Sequence, residues 1–360
     1  MFVWKKQCEA LYSNSPMKTS VLFLITAFMS CIAAPAFADV IDIQLNQPAL
    51  DRWMYPFNST PGTRSVLTTF GSDRDNPTQF DARDGQILLA FDTGVQVPIG
   101  SGQYEIIEAE VSISFANDMV VQYDPTSDPW QMFLPAGDSR RVNDPDAGQS
   151  IELAGVGFRG GFTAATFMEN SAYAVSGSSS LSPGVRNAFA ACYDNANNFV
   201  DMSNNPRVGF QPNVFAVGQV AGLSAGQLIA QDTVMTFQVN VADANIQNYL
   251  RQGIQAGRTF FSVSSLTFVA QQAGNYPAFY AKENAYVQFG LADAAQLRMK
   301  VRPIATCIVE DLNCSGHVDS ADLGSLLGKF GPCVDCAEDF NKDGFVDSSD
   351  LGRMLGAFGQ

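Results

Sequence analysis

The feature that most restricts the fold is an internal duplication near the C-terminal end. Asp311 to Gly331 aligns with Asp339 to Gly359 at an offset of 28 residues, with 13 of 21 positions identical. Each copy opens on a loop, residues 311–322 and residues 339–350, in which oxygen-bearing side chains alternate with others. Asp311, Asn313, Ser315, Gly316, Asp319 and Asp322 hold positions 1, 3, 5, 6, 9 and 12 of the first, and Asp339, Asn341, Asp343, Gly344, Asp347 and Asp350 hold them in the second. Such alternation suits a hard cation, since calcium takes about six to eight oxygens at roughly 2.3–2.6 Å and the loop must double back to supply them. Gly316 and Gly344 permit the positive φ of that turn. Position 7 contributes its backbone carbonyl, so His317 and Phe345 can stand there whatever their side chains. Two calcium ions are expected. Ser315 stands where the second copy has Asp343, leaving three carboxylates in the first loop and four in the second.

Both loops end in Asp, and a tail Asp-Leu-Gly-x-x-Leu-Gly-x-Phe-Gly follows each. A duplicated loop of this kind resembles the type I dockerin repeat, over all of residues 311–359. The resemblance implies a small helical module, residues 305–360, with one helix per loop. It also implies a cohesin-like protein or cell-surface scaffold as partner, read by positions 10 and 11, which are Ser320, Ala321, Ser348 and Ser349. The expected core of the module is Val318, Leu323, Leu327 and Phe330 with their repeats Val346, Leu351, Leu355 and Phe358.

The opposite end reads as a leader, residues 1–38. Lys18 follows Met17, an apolar run spans Val21 to Ile32, and Ala36-Phe37-Ala38 places small residues before a cleavage point. Translation is expected to start at Met17 and the mature chain at Asp39, exported or held at the cell surface without a membrane span. Removing residues 1–38 takes away three basic residues and one acid, which leaves 18 Lys and Arg against 35 Asp and Glu, a net charge near −17. So acidic a chain repels phosphate backbones, which argues against nucleic-acid partners. Of the cysteines that remain, Cys307, Cys314, Cys333 and Cys336 lie within 30 residues. Outside the cell they favour two disulfides with pairing open, a four-cysteine zinc site being the alternative. Cys192 reads as a buried hydrophobe.

From residue 39 to residue 304 the dominant period is two. Ile107, Ala109, Val111, Ile113 and Phe115 alternate with Glu108, Glu110, Ser112 and Ser114, the pattern of a half-buried strand. Met235, Phe237, Val239 and Val241 repeat it, as do Leu297, Met299 and Val301. Further strands are expected at Ile87 to Phe91, Met119 to Tyr123, Thr259 to Val269 and Tyr286 to Leu291. Asp243 to Ile254 alone has helical spacing. The expected fold is mainly β, a jelly-roll-like antiparallel sandwich, with Pro125 to Gly226 forming long loops at one end. Ile87-Leu-Leu-Ala-Phe-Asp-Thr-Gly, Pro98-Ile-Gly-Ser-Gly and Ile107-Glu-Ala-Glu-Val-Ser-Ile-Ser-Phe resemble the secreted DNRLRE-type β-sandwich domains. That resemblance implies a non-catalytic surface or carbohydrate-associated module.

The only histidine, His317, sits inside a calcium loop, which removes histidine-based triads and zinc hydrolysis. Hydrolysis of glycosidic bonds needs only two carboxylates. Glu105, Glu108, Glu110, Glu152, Glu169 and Glu283 are available, with Glu283 the first to consider. Trp53, Tyr55 and Trp130 are candidate carbohydrate platforms, and Asp73, Asp75, Asp81 and Asp84 a candidate calcium group. Three readings follow: a non-catalytic module tethered to a cohesin-like partner, a polysaccharide-degrading hydrolase or lyase delivered by its dockerin, and a structural surface protein.

Overall fold

The computed structural model describes residues 40–72, 82–100, 103–175, 184–269, 275–304, 308–313, 315–334 and 336–359. The expected leader, its cleavage point, Cys307, Cys314 and the acids Asp73, Asp75 and Asp81 lie outside the described residues. No helix among the described residues is long and apolar enough to cross a membrane.

The chain is mainly β and forms a sandwich of antiparallel sheets. One sheet has four strands in the order Ile41–Leu45, Gln296–Ile304, Gln103–Ser114, Val234–Gln238. The larger one runs Leu50–Met54, Ala82–Phe91, Thr259–Ser265, Ile151–Phe158, Ala188–Tyr193, Phe199–Asp201. Their facing side chains share one core, in which Val111, Ile113, Phe237, Leu297 and Val301 from the first sheet meet Ile87, Leu89, Phe91, Leu153 and Phe261 from the second. Burying such side chains is worth roughly 1.5–3 kcal/mol each, which makes this seam the main source of stability.

Alternation predicted three strands of the four-stranded sheet, with one exception in their inward faces, while Ile41–Leu45 was not among the expected strands. Ile107 is only half-buried, while Ile106 and Tyr104 turn inward. The cause is a bulge: Lys300 pairs with Glu108 but Val301 pairs with Ile106, so one residue is skipped and the face inverts. The helix forms as expected over Ala244–Ala256, where the Asp243 carboxylate accepts from the Asn245 and Ile246 amides and Ile246, Leu250 and Ile254 are fully buried.

Three expectations fail. Met119 to Tyr123 is not a strand, because Met119 has φ 53 and only Gln122 makes an isolated bridge, to Leu228. Tyr286 to Leu291 is not one either, since Asn284 caps a single helical turn, Ala285–Gln288. Nor is Pro125 to Gly226 a set of end loops, for it supplies Ile151–Phe158 and Ala188–Tyr193 to the larger sheet. It also covers that sheet's outer face, where Phe167, Phe162 and Tyr173 pack on Leu88, Ala90 and Phe260. Strands buried on both faces lose the polar half of the alternation, and Gly155 and Gly157 removed the remaining signal. A Cβ at Gly157 would lie 2.4 Å from the Phe189 ring, so the glycine is there to admit that ring.

Candidate metal centres

Each C-terminal loop is followed by a helix, Ser320–Leu327 and Ser348–Ala357. The acids at positions 9 and 12 form a capping box on that helix, Asp319 with Asp322 and Asp347 with Asp350. The loops close through the same bonds. Asp311 Oδ1 and Oδ2 accept from the Ser315 amide at 3.0 Å and the Gly316 amide at 2.8 Å. Asp339 accepts likewise from Asp343 at 3.2 Å and Gly344 at 2.8 Å. Asp322 takes the Asn313 amide at 3.1 Å and the Asp319 amide at 2.9 Å, and Asp350 takes those of Asn341 at 3.3 Å and Asp347 at 3.0 Å. Gly316 and Gly344 have φ of 93° and 92°, the left-handed turn expected of them.

Asp311, Asp322, Asp339 and Asp350 are buried, an unusual place for four acids in a segment with so small a core. A carboxylate oxygen has more than one lone-pair site, so an amide on one leaves another for a cation. The donor set fits calcium: oxygens from carboxylates, the Asn313 and Asn341 amides, and the carbonyls of His317 and Phe345. The two loops differ at position 5. The Ser315 hydroxyl donates to the His317 carbonyl at 3.1 Å, engaging an oxygen the cation would use. Asp343 instead accepts from the Phe345 amide at 2.9 Å and leaves its partner carbonyl free of that bond. The Ser349 hydroxyl and amide hold the Asp347 carboxyl below its usual range.

The repeats also interlock. Gly331 pairs with Val346, and the Gly359 amide donates to the Val318 carbonyl at 2.9 Å. Gly331 and Gly359 are equivalent across the duplication, as are Val318 and Val346, so the tail of each repeat binds the loop of the other. The core beneath is Val318, Leu326, Phe340, Val346 and Met354. Of the residues expected there, Leu323 and Leu351 are partly buried, but Leu327, Phe330, Leu355 and Phe358 are each about half exposed. Helices this short face the core with one residue per turn, and Leu326 and Met354 take that place. The four positions expected to read a partner, Ser320, Ala321, Ser348 and Ser349, are all exposed. Cys333 and Cys336 are paired with each other, one of the pairings left open by the sequence.

In the β domain the other candidates fare differently. Trp53 is buried against Tyr55 at 4.5 Å between ring centroids, with Arg64 over its face, so it is no open platform. Tyr55 is half-buried among Trp53, Phe57 and Phe70, and Trp130 is half-buried under Arg140. Asp84 is buried beside Ser72 and Arg186. Burial pushes the Cys192 thiol up to about 12, in keeping with an inert hydrophobe.

Glu283 belongs to an acidic group with Asp51 and Glu169. Lys282 sits among all three, 2.9 Å from Asp51 Oδ1, 3.1 Å from Glu283 Oε1 and in contact with Glu169. Burial raises the Asp51 and Glu169 carboxyls, with Lys282 opposing it. Burial also works against the Lys282 charge, but Asp51 and Glu169 outweigh it and hold the ammonium above its usual range. A lysine in that position makes the group an internal ion cluster, and Glu283 is engaged by it. A second acidic group joins Asp124, Asp128 and Asp146. Burial, then Asp124 and Asp144, push the Asp128 carboxyl up to about 7. Sequence reading passed over it because its acids sit among prolines and glycines with no repeating spacing.

No family model and no curated protein matches the chain. Among solved structures it is similar to VP1 of the Trichodysplasia spinulosa-associated polyomavirus in complex with 3'-sialyllactose, at 10% identity over 74% of this chain and 94% of that one. The TM-score is 0.23, too slight a likeness to carry an argument about fold or ligand.

Proposed function

We propose that the chain is an exported or cell-surface protein in which a non-catalytic, jelly-roll-like module is tethered through a dockerin-like, calcium-binding repeat to a cohesin-like scaffold. The observation that carries this reading is the reciprocal bonding of Gly331 to Val346 and of Gly359 to Val318, which ties two loops of the same donor pattern into one pseudo-symmetric unit. Asp311, Asn313, Asp319 and Asp322 hold one calcium ion with the His317 carbonyl, and Ser315 is a weaker donor. Asp339, Asn341, Asp343, Asp347 and Asp350 hold the other with the Phe345 carbonyl. Calcium fixes the first turn of each helix, and that turn presents Ser320, Ala321, Ser348 and Ser349 to the partner. The β module serves as a surface or carbohydrate-associated element, since its leading catalytic candidate, Glu283, is engaged by Lys282.

The test is capture of a partner from the native exported fraction on immobilised full chain, with calcium and with a chelator. Capture should require calcium and fall at least tenfold when Ser320, Ala321, Ser348 and Ser349 are replaced together by Arg. Capture that ignores both changes would overturn the tethering role. Turnover in a panel of polysaccharides, lost in Glu283→Gln, would establish the enzyme reading in its place.

A further inference from the structure

Two segments of the β domain converge where neither has regular structure. Asp124 and Asp128 flank Pro125-Thr126-Ser127 just before the turn Trp130–Phe133, and Asp144 and Asp146 flank Pro145. Gly148, at φ 110°, brings the second segment onto the first, since a Cβ there would lie 3.0 Å from Asp124 Cβ and 3.2 Å from the Gln122 carbonyl. One oxygen from each of Asp124, Asp128 and Asp146 lies within 4.8 Å of the other two. A point between three such oxygens lies at most about 2.8 Å from each, so a small adjustment of the side chains brings all three to the roughly 2.3–2.6 Å of a calcium–oxygen bond.

The two buried carboxylates are only partly satisfied: Asp124 Oδ1 accepts from the Thr126 amide at 2.9 Å, but the remaining oxygens are not so served. Asp128 is 6% exposed and Asp124 2%. Among the described residues, neither oxygen of Asp128, nor Oδ2 of Asp124, has a hydrogen-bond partner. The Ser150 amide faces Asp128 and counters its upward shift, but without hydrogen-bond geometry. Arg83, which lines a small cavity with Asp128, is bound to Glu152 at 2.6 Å, Asn205 at 3.0 Å and Ser264 at 3.2 Å. The Thr126 hydroxyl lies 3.0 Å from Asp124 Oδ1 and 2.9 Å from Asp146 Oδ2, and its one proton can serve only one of them. Buried charged groups without partners cost several kcal/mol by the usual scale, and proteins resolve this with a counter-charge.

We infer that Asp124, Asp128 and Asp146 form a third cation site, in the β domain and separate from the C-terminal repeat, that takes a calcium ion. The donors are all oxygens, with no imidazole or thiolate, which favours a hard cation over zinc or copper. The loop backbone and water complete a flexible shell, which suits calcium better than the strict octahedron of magnesium. The ion pins residues 124–148 against the larger sheet.

The experiment uses the full chain and calcium alone as the probe, with bound ions counted by equilibrium dialysis. In a variant carrying Asp311→Ala, Asp322→Ala, Asp339→Ala and Asp350→Ala, one ion per chain should remain. Adding Asp128→Asn should remove it, and adding the exposed Asp146→Asn instead should weaken it at least tenfold while the β-sheet circular dichroism is unchanged. If the fourfold variant binds no calcium, or if its ion is indifferent to both Asn substitutions, the site does not exist. Failure of the repeat reading gives a different result, namely the same ion count in the parent and the fourfold variant.

Discussion

The C-terminal repeat and the β domain both bury acidic side chains, but they do so over very different distances along the chain. In the repeat, the partners of Asp311 are the amides four and five residues ahead, and Asp322 reaches back nine residues. In the β domain, Asp51 meets Glu169 across 118 positions and Lys282 across 231. A local arrangement leaves a periodic trace in the sequence, whereas a distant one leaves only isolated acids. The difference extends to what neutralises the charge. Lys282 comes with the fold, while under the proposed reading the repeat takes its counter-charge from a cation in solution.

The largest expected effect separates the two regions by withdrawing calcium. The repeat has a core of five buried residues and seven loop carboxylates that repel one another. If the repeat binds calcium as proposed, the binding energy of the ion is folding energy for this segment. Hydrogen exchange of the full chain in a chelator should strip protection from Ser320–Leu327 and Ser348–Ala357 and leave Ala82–Phe91 and Thr259–Ser265 unchanged. Equal protection with and without calcium in those two helices would break the comparison.

How much was legible follows the same division. The loop positions, the helix after each loop and the two glycine turns were readable because every bond involved lies within twelve residues. Three strands of the four-stranded sheet were readable because one of its faces is polar, as in Glu108 and Glu110, whereas the five-residue edge strand Ile41–Leu45 was missed. Ile107 was misplaced because a bulge is a matter of pairing with another strand. Ile151–Phe158 was missed because burial on both faces erases alternation. Trp53 reads as a loop aromatic until Tyr55, Phe70 and Arg64 are seen to close around it. The Asp124, Asp128 and Asp146 group appears only once Gly148 has folded one segment onto the other.

A smaller effect is expected where the counter-charge is built in. Lys282→Met leaves Asp51, Glu169 and Glu283 facing one another, with Asp51 fully buried. Breaking such a cluster by removing one partner costs about 3–5 kcal/mol near neutral pH. The pH dependence has a definite sign. Asp51 and Glu169 are raised in the fold, so ionising them opposes folding, and the gap between parent and variant should narrow as the pH falls through their folded values. Lys282 is raised as well, so its contribution in the parent is complete below the ordinary lysine value of 10.5 and declines above it. Urea titration at neutral and acidic pH measures the gap, and a gap that widens on acidification would contradict the ion-cluster assignment.

The smallest effect lies within the repeat and asks whether its two loops differ as their fifth positions imply. The Asp343 carboxylate adds one negative charge to the second loop, and charge count is among the factors that set affinity in loops of this type. The Ser315 hydroxyl both lacks that charge and bonds the His317 carbonyl, so two oxygens of the first loop are weaker ligands than their counterparts in the second. Asp343→Ser should therefore weaken the tighter of the two repeat sites by on the order of tenfold, and Ser315→Asp should strengthen the weaker one by a similar factor. The double exchange should leave two sites of different affinity with their identities reversed. Calorimetry of the full chain carrying Asp128→Asn, which removes the β-domain site from the titration, reads both constants. If exchanging positions 315 and 343 leaves the order of the sites unchanged, then the asymmetry of the repeat arises from its helices and not from its ligands.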